Sequence, residues 1–399
     1  MNIDPTLLEA LNFIVRWAHL IAGIAWIGAS FFFVWLDDHL EYAPDLGADV
    51  EGRLWMTHSG GFYDVAKFKT TMSKIPQNLH WFKWEAAWTG ITGIFLLIIV
   101  FYLGADGFLI KSGSDMSRPV AATIGLGALV VCWLVYDLVW RLPMVEKHGT
   151  IFSILTFAAL VALVWGFNQV FTNHAAYIHT GAVIGLVMVL NVWVIIIPGQ
   201  RKMIEALKRG DAPDPNFGQR AKLRSMHNSY ITLPIIAIML SGHYPMFTGH
   251  AQNWAVLAIL IILGALVRHW FIVRHKGNAS PLIPVAVAIG AAGLFYLVMP
   301  KAISLPPGTE VVAFEEVETI VNKHCIQCHA ASPANEGFDA PPKGITFENP
   351  ASIKTFAAKI MAQAVSTETM PLGNETEMTK EERKTLGIWI AQGANLDAE

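Results

Sequence analysis

The sequence predicts an all-α protein, with a polytopic bundle of about eight membrane-spanning helices followed by a small, more polar helical domain. Of its 399 residues 54% are hydrophobic and only 15% are charged, which is too apolar for an ordinary soluble enzyme. Eight apolar runs approach the roughly twenty residues that a helix needs to cross a bilayer. These runs are 13–36, 85–104, 119–140, 150–171, 175–197, 230–247, 252–273 and 281–299. We therefore divide the chain into a membrane domain (1–300), a linker (301–310) and a second domain (311–399).

The basic residues between these runs predict the orientation of the bundle. One set of connecting segments carries sixteen Lys and Arg, and the opposite set carries two. Since basic loops stay on the cytoplasmic side, both the N terminus and the second domain are expected outside. No basic segment and cleavage site precede the first run, so we expect it to be retained. The formal net charge of -3 gives no indication of a nucleic-acid partner.

The loops on the inner side differ in what they predict. In the long loop 37–83, aromatic and apolar residues flank Ser59-Gly60-Gly61, a pattern typical of a β-hairpin. A folded cap over the bundle is equally compatible with this segment. The loop 198–229 carries seven basic residues and is predicted to be a polar connector.

Ionisable side chains within or beside the spans are candidate functional groups, because they are costly in hydrocarbon. Arg16 lies in the first span, and Asp137 and Arg141 stand four residues apart at the end of the third, the spacing of an intrahelical ion pair. His227 stands where the sixth span begins. These four residues are the catalytic candidates. The alternatives are an Arg16 side chain that reaches outward to lipid headgroups and a purely structural Asp137–Arg141 pair.

Several histidines lie at matched depths in the predicted spans. His19, His179 and His243 fall in the outer half, and His269 falls near the inner end of the seventh span. Imidazoles on facing helices are a standard way for a bundle to hold a b-type haem. The pattern therefore predicts one or two haem b groups, although hydrogen-bonded core histidines would give the same pattern.

The second domain contains Cys325-Ile326-Gln327-Cys328-His329. Cys-x-x-Cys-His is the pattern for covalent haem attachment, in which two thioethers hold the porphyrin and the histidine binds the iron. Met370-Pro371 follows in a polar loop, which makes Met370 the candidate sixth ligand; Met361 and Met378 are the competitors. A helix over 314–323 and a terminal helix capped by Thr379 complete the pattern of a class I cytochrome c domain with one haem c.

The whole chain resembles the bacterial cytochrome-linked membrane urate hydroxylases, also called urate oxidases. The resemblance rests on Arg16-Trp17-Ala18-His19 and Trp26-Ile27-Gly28 in the first span, on His58-Ser59-Gly60-Gly61 in the loop, and on the Cys-x-x-Cys-His and Met-Pro motifs. It implies oxidation of urate to 5-hydroxyisourate in the bacterial inner membrane, with the second domain in the periplasm. Electrons are expected to leave through the c-type haem to a soluble or membrane cytochrome, or to a terminal oxidase.

Two other classes of protein fit the same pattern of spans and tail. One is a quinol:cytochrome c type oxidoreductase, which quinone-dependent reduction without a response to urate would select. The other is a transporter or sensor with a tethered cytochrome, which urate transport without haem reduction would select. The resemblance carries no motif for catalytic residues.

Overall fold

The structure, a computed structural model, describes residues 5–42, 46–70, 72, 75–104, 106–111, 113–274, 279–299, 303–335 and 338–398, and it is largely helical. The first domain contains α1 (Pro5–His39), α2 (Trp84–Leu97), α3 (Asp106–Leu109), α4 (Arg118–Val139), α5 (Val145–Val170), α6 (Asn173–Leu190), α7 (Ile197–Lys208), α8 (Pro215–Ser241), α9 (Pro245–Thr248), α10 (Asn253–Arg274) and α11 (Leu282–Val298). Two π-helical turns extend it: Ile98–Tyr102 continues α2, and Asn191–Ile196 joins α6 to α7.

Six of the described helices are long and apolar enough to cross a membrane. They are Thr6–His39, Trp84–Tyr102, Arg118–Val139, Val145–Val170, Asn173–Lys208 and Asn253–Arg274. The remaining two predicted spans are also helices, but α11 has only 17 residues and α8 begins with a polar half. The predicted sixth span is therefore wrong in its bounds, because α8 ends at Ser241 and Pro245 begins a separate short helix.

The prediction that residues 198–229 form a polar connector is also wrong. Most of this segment is helical, because α7 continues to Lys208 and α8 begins at Pro215. The side chain of Asp214 accepts a hydrogen bond from the backbone N–H of Asn216, and proline occupies the first helical position. Both features favour a helix start. All of the basic residues of this segment except Arg209 consequently lie on helices that pack against the bundle.

The predicted hairpin is confirmed. Strands β1 (Val50–His58) and β2 (Gly61–Phe68) pair antiparallel, and His58 is opposite Gly61. The turn residues Ser59 and Gly60 have φ values of 50° and 77°. Positive φ at both central residues is what a tight two-residue hairpin turn requires.

Helix α6 lies at the centre of the bundle, and its side chains are buried in two adjoining apolar clusters. One of its buried polar groups, His179, uses both ring nitrogens: Nδ1 donates to the carbonyl of Ala175 at 2.8 Å, and Nε2 accepts from the Tyr102 hydroxyl at 3.0 Å. This pair packs against α4 at Gly125. A β-carbon there would lie 2.9 Å from His179 Nε2 and closer still to the Tyr102 hydroxyl.

We expect Gly125→Ala to destabilise the bundle by about 1–3 kcal/mol, because the added methyl overpacks a tight contact. Gly127→Ala is the matched control on the same helix, since nothing lies within 4 Å of the position that its methyl would take. The control should be neutral or should stabilise by up to about 1 kcal/mol, through helix propensity alone. Thermal unfolding of both variants in detergent measures the difference; equal melting temperatures would contradict the close contact.

The second domain has a hydrophobic core of its own. It contains α12 (Phe314–His324), α13 (Ile326–His329), α14 (Pro350–Thr355), α15 (Ala357–Ile360) and α16 (Lys380–Ala391), with a π-helical turn at Met361–Ser366 and 3-10 turns at Pro342–Gly344 and Leu372–Asn374. The buried core includes Val317, Leu386 and Trp389. The predicted helices before the cysteines and at the C terminus are confirmed, as is the capping box of Thr379 and Glu382. Of the predicted linker 301–310, residues 301 and 302 lie outside the described residues.

Two short elements of the bundle contact this domain. Helix α3 contacts the turn Leu372–Asn374, and helix α9 contacts the turn Met361–Ser366. The two domains therefore pack against each other at the end of the bundle where α3 and α9 lie. We call it the outer end, and the opposite end, with α7 and the start of α8, the inner end.

Glu382 provides a pH-dependent element in the second domain. The Lys323 ammonium at 2.8 Å, the Thr379 backbone N–H and the ring of buried His324 at 3.0 Å hold the pKa of Glu382 far below its usual value. Because the folded pKa is lowered, the stabilisation is complete above the unfolded pKa of about 4.3 and is lost as the pH falls below it.

We expect Glu382→Gln to destabilise the second domain by roughly 1 kcal/mol at pH 7, because glutamine keeps the capping box but loses the ion pairs. The difference from the unmodified chain should shrink as the pH falls below about 4. Hydrogen exchange of α16 peptides in the full chain measures both effects. A difference that does not change with pH would show that the ion pairs contribute nothing.

Candidate functional site

The inner end of the bundle holds a buried carboxylate between two guanidinium groups. Asp137, on α4, is buried, and its Oδ2 accepts from Arg141 Nη2 at 2.6 Å. Its Oδ1 accepts from Nη2 of Arg224, on α8, at 2.9 Å. The predicted pair of Asp137 and Arg141 is confirmed, and Arg224 is a third member that the sequence interpretation missed. With one carboxylate facing two guanidinium groups, the cluster has an excess of positive charge.

Arg224 is 2% exposed and uses only part of its hydrogen-bonding capacity. Its Nη2 donates to the carboxylate and to the backbone carbonyl of Asp137, and its guanidinium lies 4.7 Å from the centre of the Tyr136 ring. Its Nη1 is buried and has no hydrogen-bond partner within the described part of the chain. Leaving a buried charged donor unpaired is costly. An anion that accepts a hydrogen bond from Nη1 would remove that cost.

A tyrosine and a histidine lie beside the arginine. Asn191 Nδ2 donates to the Tyr136 hydroxyl at 3.0 Å, and that hydroxyl donates to His227 Nδ1 at 2.8 Å. This arrangement places the His227 proton on Nε2. The His227 ring meets the Trp140 ring edge to face, with centres 4.2 Å apart. Asn191 stands at the start of the π-helical turn, a distortion that often marks functional sites.

A cavity of about 150 Å³ opens next to this cluster. Its polar and aromatic lining consists of Trp140, Arg141, Lys202, Phe217, Arg220 and Arg224. The lining offers four cations and two aromatic rings, but no carboxylate. Such a cavity suits a small, planar, negatively charged molecule, because the cations bind charge and the rings stack on a flat π-system.

The structure therefore brings together three of the four predicted catalytic candidates: Asp137, Arg141 and His227. Arg16 is not part of this cluster. It is exposed on α1, where its Nε and Nη2 donate to Asn12 Oδ1 at 3.2 and 3.0 Å. Arg224 sits three residues before His227, which places both on one face of α8. That spacing is the signal in the sequence that could have identified it.

The histidines predicted to hold haem b occupy different surroundings. His179 is fully buried and both of its ring nitrogens are hydrogen bonded, which leaves no lone pair for iron. His19 Nδ1 donates to the Thr89 carbonyl and the Thr92 hydroxyl oxygen. His243 is exposed, and His269 Nδ1 accepts from Tyr230 at 2.7 Å. The sequence left open that these histidines are hydrogen-bonded core residues and not haem ligands. The contacts of His19, His179 and His269 fit that alternative.

In the second domain the motif residues lie in and just before one helical turn. Cys325 and Cys328 are free thiols, and burial raises the pKa of the Cys325 thiol to about 12. His329 Nδ1 donates to the Ile345 carbonyl at 2.9 Å. The side chain of Met370 is partly exposed, and its backbone carbonyl accepts from Arg383. The competitor Met378 is buried in the core of the domain.

The predicted cofactors, one haem c and one or two haem b, are contradicted. Across the ranges that the structure describes, no group of three or more His, Cys, Asp and Glu side chains is placed to hold a metal ion. The assignments of Cys325, Cys328, His329 and Met370 as ligands remain predictions that no observation tests.

Residues 5–299 match the sequence model described as urate oxidase N-terminal. No curated protein and no solved structure matches the chain. The matched segment contains the inner cluster, the cavity and every helix of the first domain. It covers well over half of the sequence, and the chain therefore belongs to the urate oxidase N-terminal family.

Proposed function

We propose that this protein is a membrane-bound enzyme that oxidises urate to 5-hydroxyisourate in the cavity at the inner end of its bundle. Family membership supports oxidation of urate, and the six long apolar helices are compatible with a lipid environment. The observation that carries the proposal is the cavity itself, whose wall combines four cations with two aromatic rings and includes Arg224. The Nη1 of Arg224, which has no hydrogen-bond partner among the described residues, leaves this guanidinium with donor capacity to spare.

Urate has the properties that this cavity selects. It is a flat bicyclic purine, and at neutral pH it is a monoanion. Arg224 would donate to a urate oxygen, while Trp140 and Phe217 would lie against the ring faces. Asp137 would act as a positioning residue, because it fixes the guanidinium of Arg224 and leaves Nη1 directed elsewhere. A flat anion needs both charge and stacking, which explains why cationic and aromatic side chains line the same cavity.

The reaction balances as urate and water giving 5-hydroxyisourate, two electrons and two protons. Water supplies the oxygen that bonds to C5 of the purine, and both electrons pass to an acceptor of the respiratory chain. Tyr136 and His227 form a hydrogen-bonded pair behind Arg224 and Trp140. We propose that this pair supports the wall of the cavity. We also propose that it takes up a proton released when urate is oxidised in the cavity.

The arrangement in the membrane follows from the two ends of the bundle. Basic residues lie in excess at the inner end, which the positive-inside rule places in the cytoplasm. The second domain packs at the outer end against α3 and α9. We therefore propose a multi-pass protein of the bacterial cell membrane, with urate bound from the cytoplasmic side and residues 311–399 in the periplasm.

The test uses the full chain in detergent without oxygen. Urate is added together with ferricyanide as an artificial acceptor, and the loss of urate absorbance is followed alongside ferricyanide reduction. We expect two ferricyanide ions to be reduced for each urate consumed. Xanthine, which lacks the oxygen at C8, is the matched control and should give no turnover. Urate that stays unchanged in a folded preparation would overturn the proposal.

A further inference from the structure

Three tryptophan rings surround a lysine at the inner end of the bundle. The ammonium of Lys83, the residue before α2, lies 5.4 Å from the centre of the Trp84 ring and 5.6 Å from that of Trp193. It lies 5.9 Å from the centre of the Trp81 ring. All three distances are within the range of a cation–π interaction. None of these four residues lines the urate cavity.

A second cation contacts the same cluster. The guanidinium of Arg201, on α7, lies 6.0 Å from the centre of the Trp81 ring. No ion pair within the described part of the chain involves Lys83 or Arg201, and the carboxylate of Glu85, two residues after Lys83, pairs with neither. Two neighbouring cations without a carboxylate partner attract an anion.

An apolar stripe leads from Lys83 along α2. It consists of Trp84, Trp88, Ile91 and Phe95, which follow one another at helical spacing and therefore share one face. Each of the four side chains is at least 44% exposed. Other parts of α2 contact α1 and α6. Because α2 is long and apolar enough to cross a membrane together with its π-helical turn, this free face is the one that meets lipid.

We propose that Lys83 and Arg201 bind the phosphate of an anionic phospholipid, whose acyl chains lie along the stripe of α2. Both lysine and arginine bind phosphate oxygens. Anionic lipids make the cytoplasmic surface of a membrane negative, and basic pockets between spans on that side bind their head groups. Tryptophan rings are typical of the head-group level. The charge of the two cations and the position of the tryptophans therefore fit the same ligand.

The stripe favours a lipid over a free phosphate ion. A free ion would use the two cations only, whereas a phospholipid would also cover the exposed rings of Trp84 and Trp88. The three indole rings hold the Lys83 ammonium in place, so less side-chain entropy is lost when a phosphate binds. Since Trp84 packs edge to face on Trp193, the bound lipid would connect α2 to the π-helical turn that leads into α7. A ligand that binds only the folded protein stabilises it.

The experiment measures lipid binding by the full-length chain after removal of lipid in detergent. Phosphatidylglycerol is titrated in mixed micelles, and the melting temperature gives the apparent Kd. We expect a saturable rise with phosphatidylglycerol and a much smaller one with phosphatidylcholine, whose head group carries no net charge. Lys83→Gln and Arg201→Gln should each raise the Kd for phosphatidylglycerol about fivefold, because each removes one cation from the membrane surface.

Two further variants make the result specific. Lys208→Gln removes an exposed cation from the end of α7, outside the cluster, and should leave the Kd unchanged. Lys83→Arg keeps the charge and should retain most of the binding. An unchanged Kd in both Lys83→Gln and Arg201→Gln would overturn the site, and so would an equal loss in Lys208→Gln. If Lys83→Gln does not fold, Arg201→Gln decides, because its side chain is exposed.

Inorganic phosphate is the second probe, because it carries the charge of the head group without acyl chains. It should leave the melting temperature unchanged at concentrations where phosphatidylglycerol saturates the protein. An equal rise with phosphate would assign the two cations to a free anion and would overturn the lipid site. Since urate takes no part in this measurement, its outcome is independent of the proposed function.

Discussion

Replacing Arg224 with glutamine is expected to lower kcat/KM for urate by about 10- to 100-fold. The reason is the loss of a charge-assisted hydrogen bond to the substrate, worth about 1.5–3 kcal/mol, where 1.4 kcal/mol corresponds to a factor of ten. Most of the loss should be in KM, because Arg224 binds the substrate anion in the ground state as well as in the transition state. Urate oxidation with ferricyanide, at varied urate concentration, measures both constants.

Two other arginines at the same end of the bundle make the test specific. Arg201→Gln removes the same charge from α7, at a position that does not line the cavity, and it should leave both constants unchanged. Arg220→Gln removes a cation from the cavity rim and should raise KM by only a few-fold. Arg224→Lys keeps the charge but not the planar fork of donors, so it should recover only part of the loss. Unchanged KM in a folded Arg224→Gln protein would place urate elsewhere.

The sequence predicted the helical architecture well because hydropathy alone determines most of it. The first span and the hairpin at residues 59–61 were found from runs and turns that depend on neighbouring residues only. The same is true of the capping box of Thr379, whose partners are three residues apart. Local patterns of this kind do not depend on how the helices pack.

Helix α8 is an element that hydropathy and sequence spacing do not identify. Its first half is polar, so a hydropathy scan treats it as loop, although Asp214 and Pro215 are a recognisable helix start. Its polar side chains are buried against three other helices: Arg224 against α4, Asn228 against Asn191 in the π-helical turn, and Ser229 against α10. Because these contacts join residues 37 to 87 positions apart, spacing along the sequence cannot reveal them.

Only part of the candidate site was predicted, because sequence spacing reveals contacts within one helix but not contacts between helices. Asp137 and Arg141 are neighbours on one helix, so their pair follows from spacing alone. The guanidinium that completes the pair comes from α8, and basic residues there were sufficiently explained by membrane topology. The haem b prediction failed because two histidines at the same depth in the membrane, on different helices, need not bind the same iron. His179, whose two nitrogens are already hydrogen bonded, shows this most directly.

Asp137→Asn is expected to destabilise the bundle by about 3–5 kcal/mol, because it leaves the buried guanidinium of Arg224 without a counter-charge. Asp211→Asn is the matched control. Asp211 pairs with Arg209 at 2.9 Å, the same distance that separates Asp137 from Arg224, but both partners are exposed. An exposed pair contributes at most about 1 kcal/mol. The measurement is the free energy of unfolding in detergent for both variants.

The double variant Asp137→Asn with Arg224→Gln then measures the interaction energy between the two side chains. Removing both charges leaves no buried charge unpaired, so we expect the double variant to lose less than the sum of the single losses, by about 0.5–3 kcal/mol. Additive losses would mean that Asp137 acts mainly through Arg141, whose side chain is half exposed. The double variant could instead recover stability without recovering urate oxidation. That result would show that the protein keeps the buried charge of Arg224 to bind the substrate, and that the bundle does not need this charge for its stability.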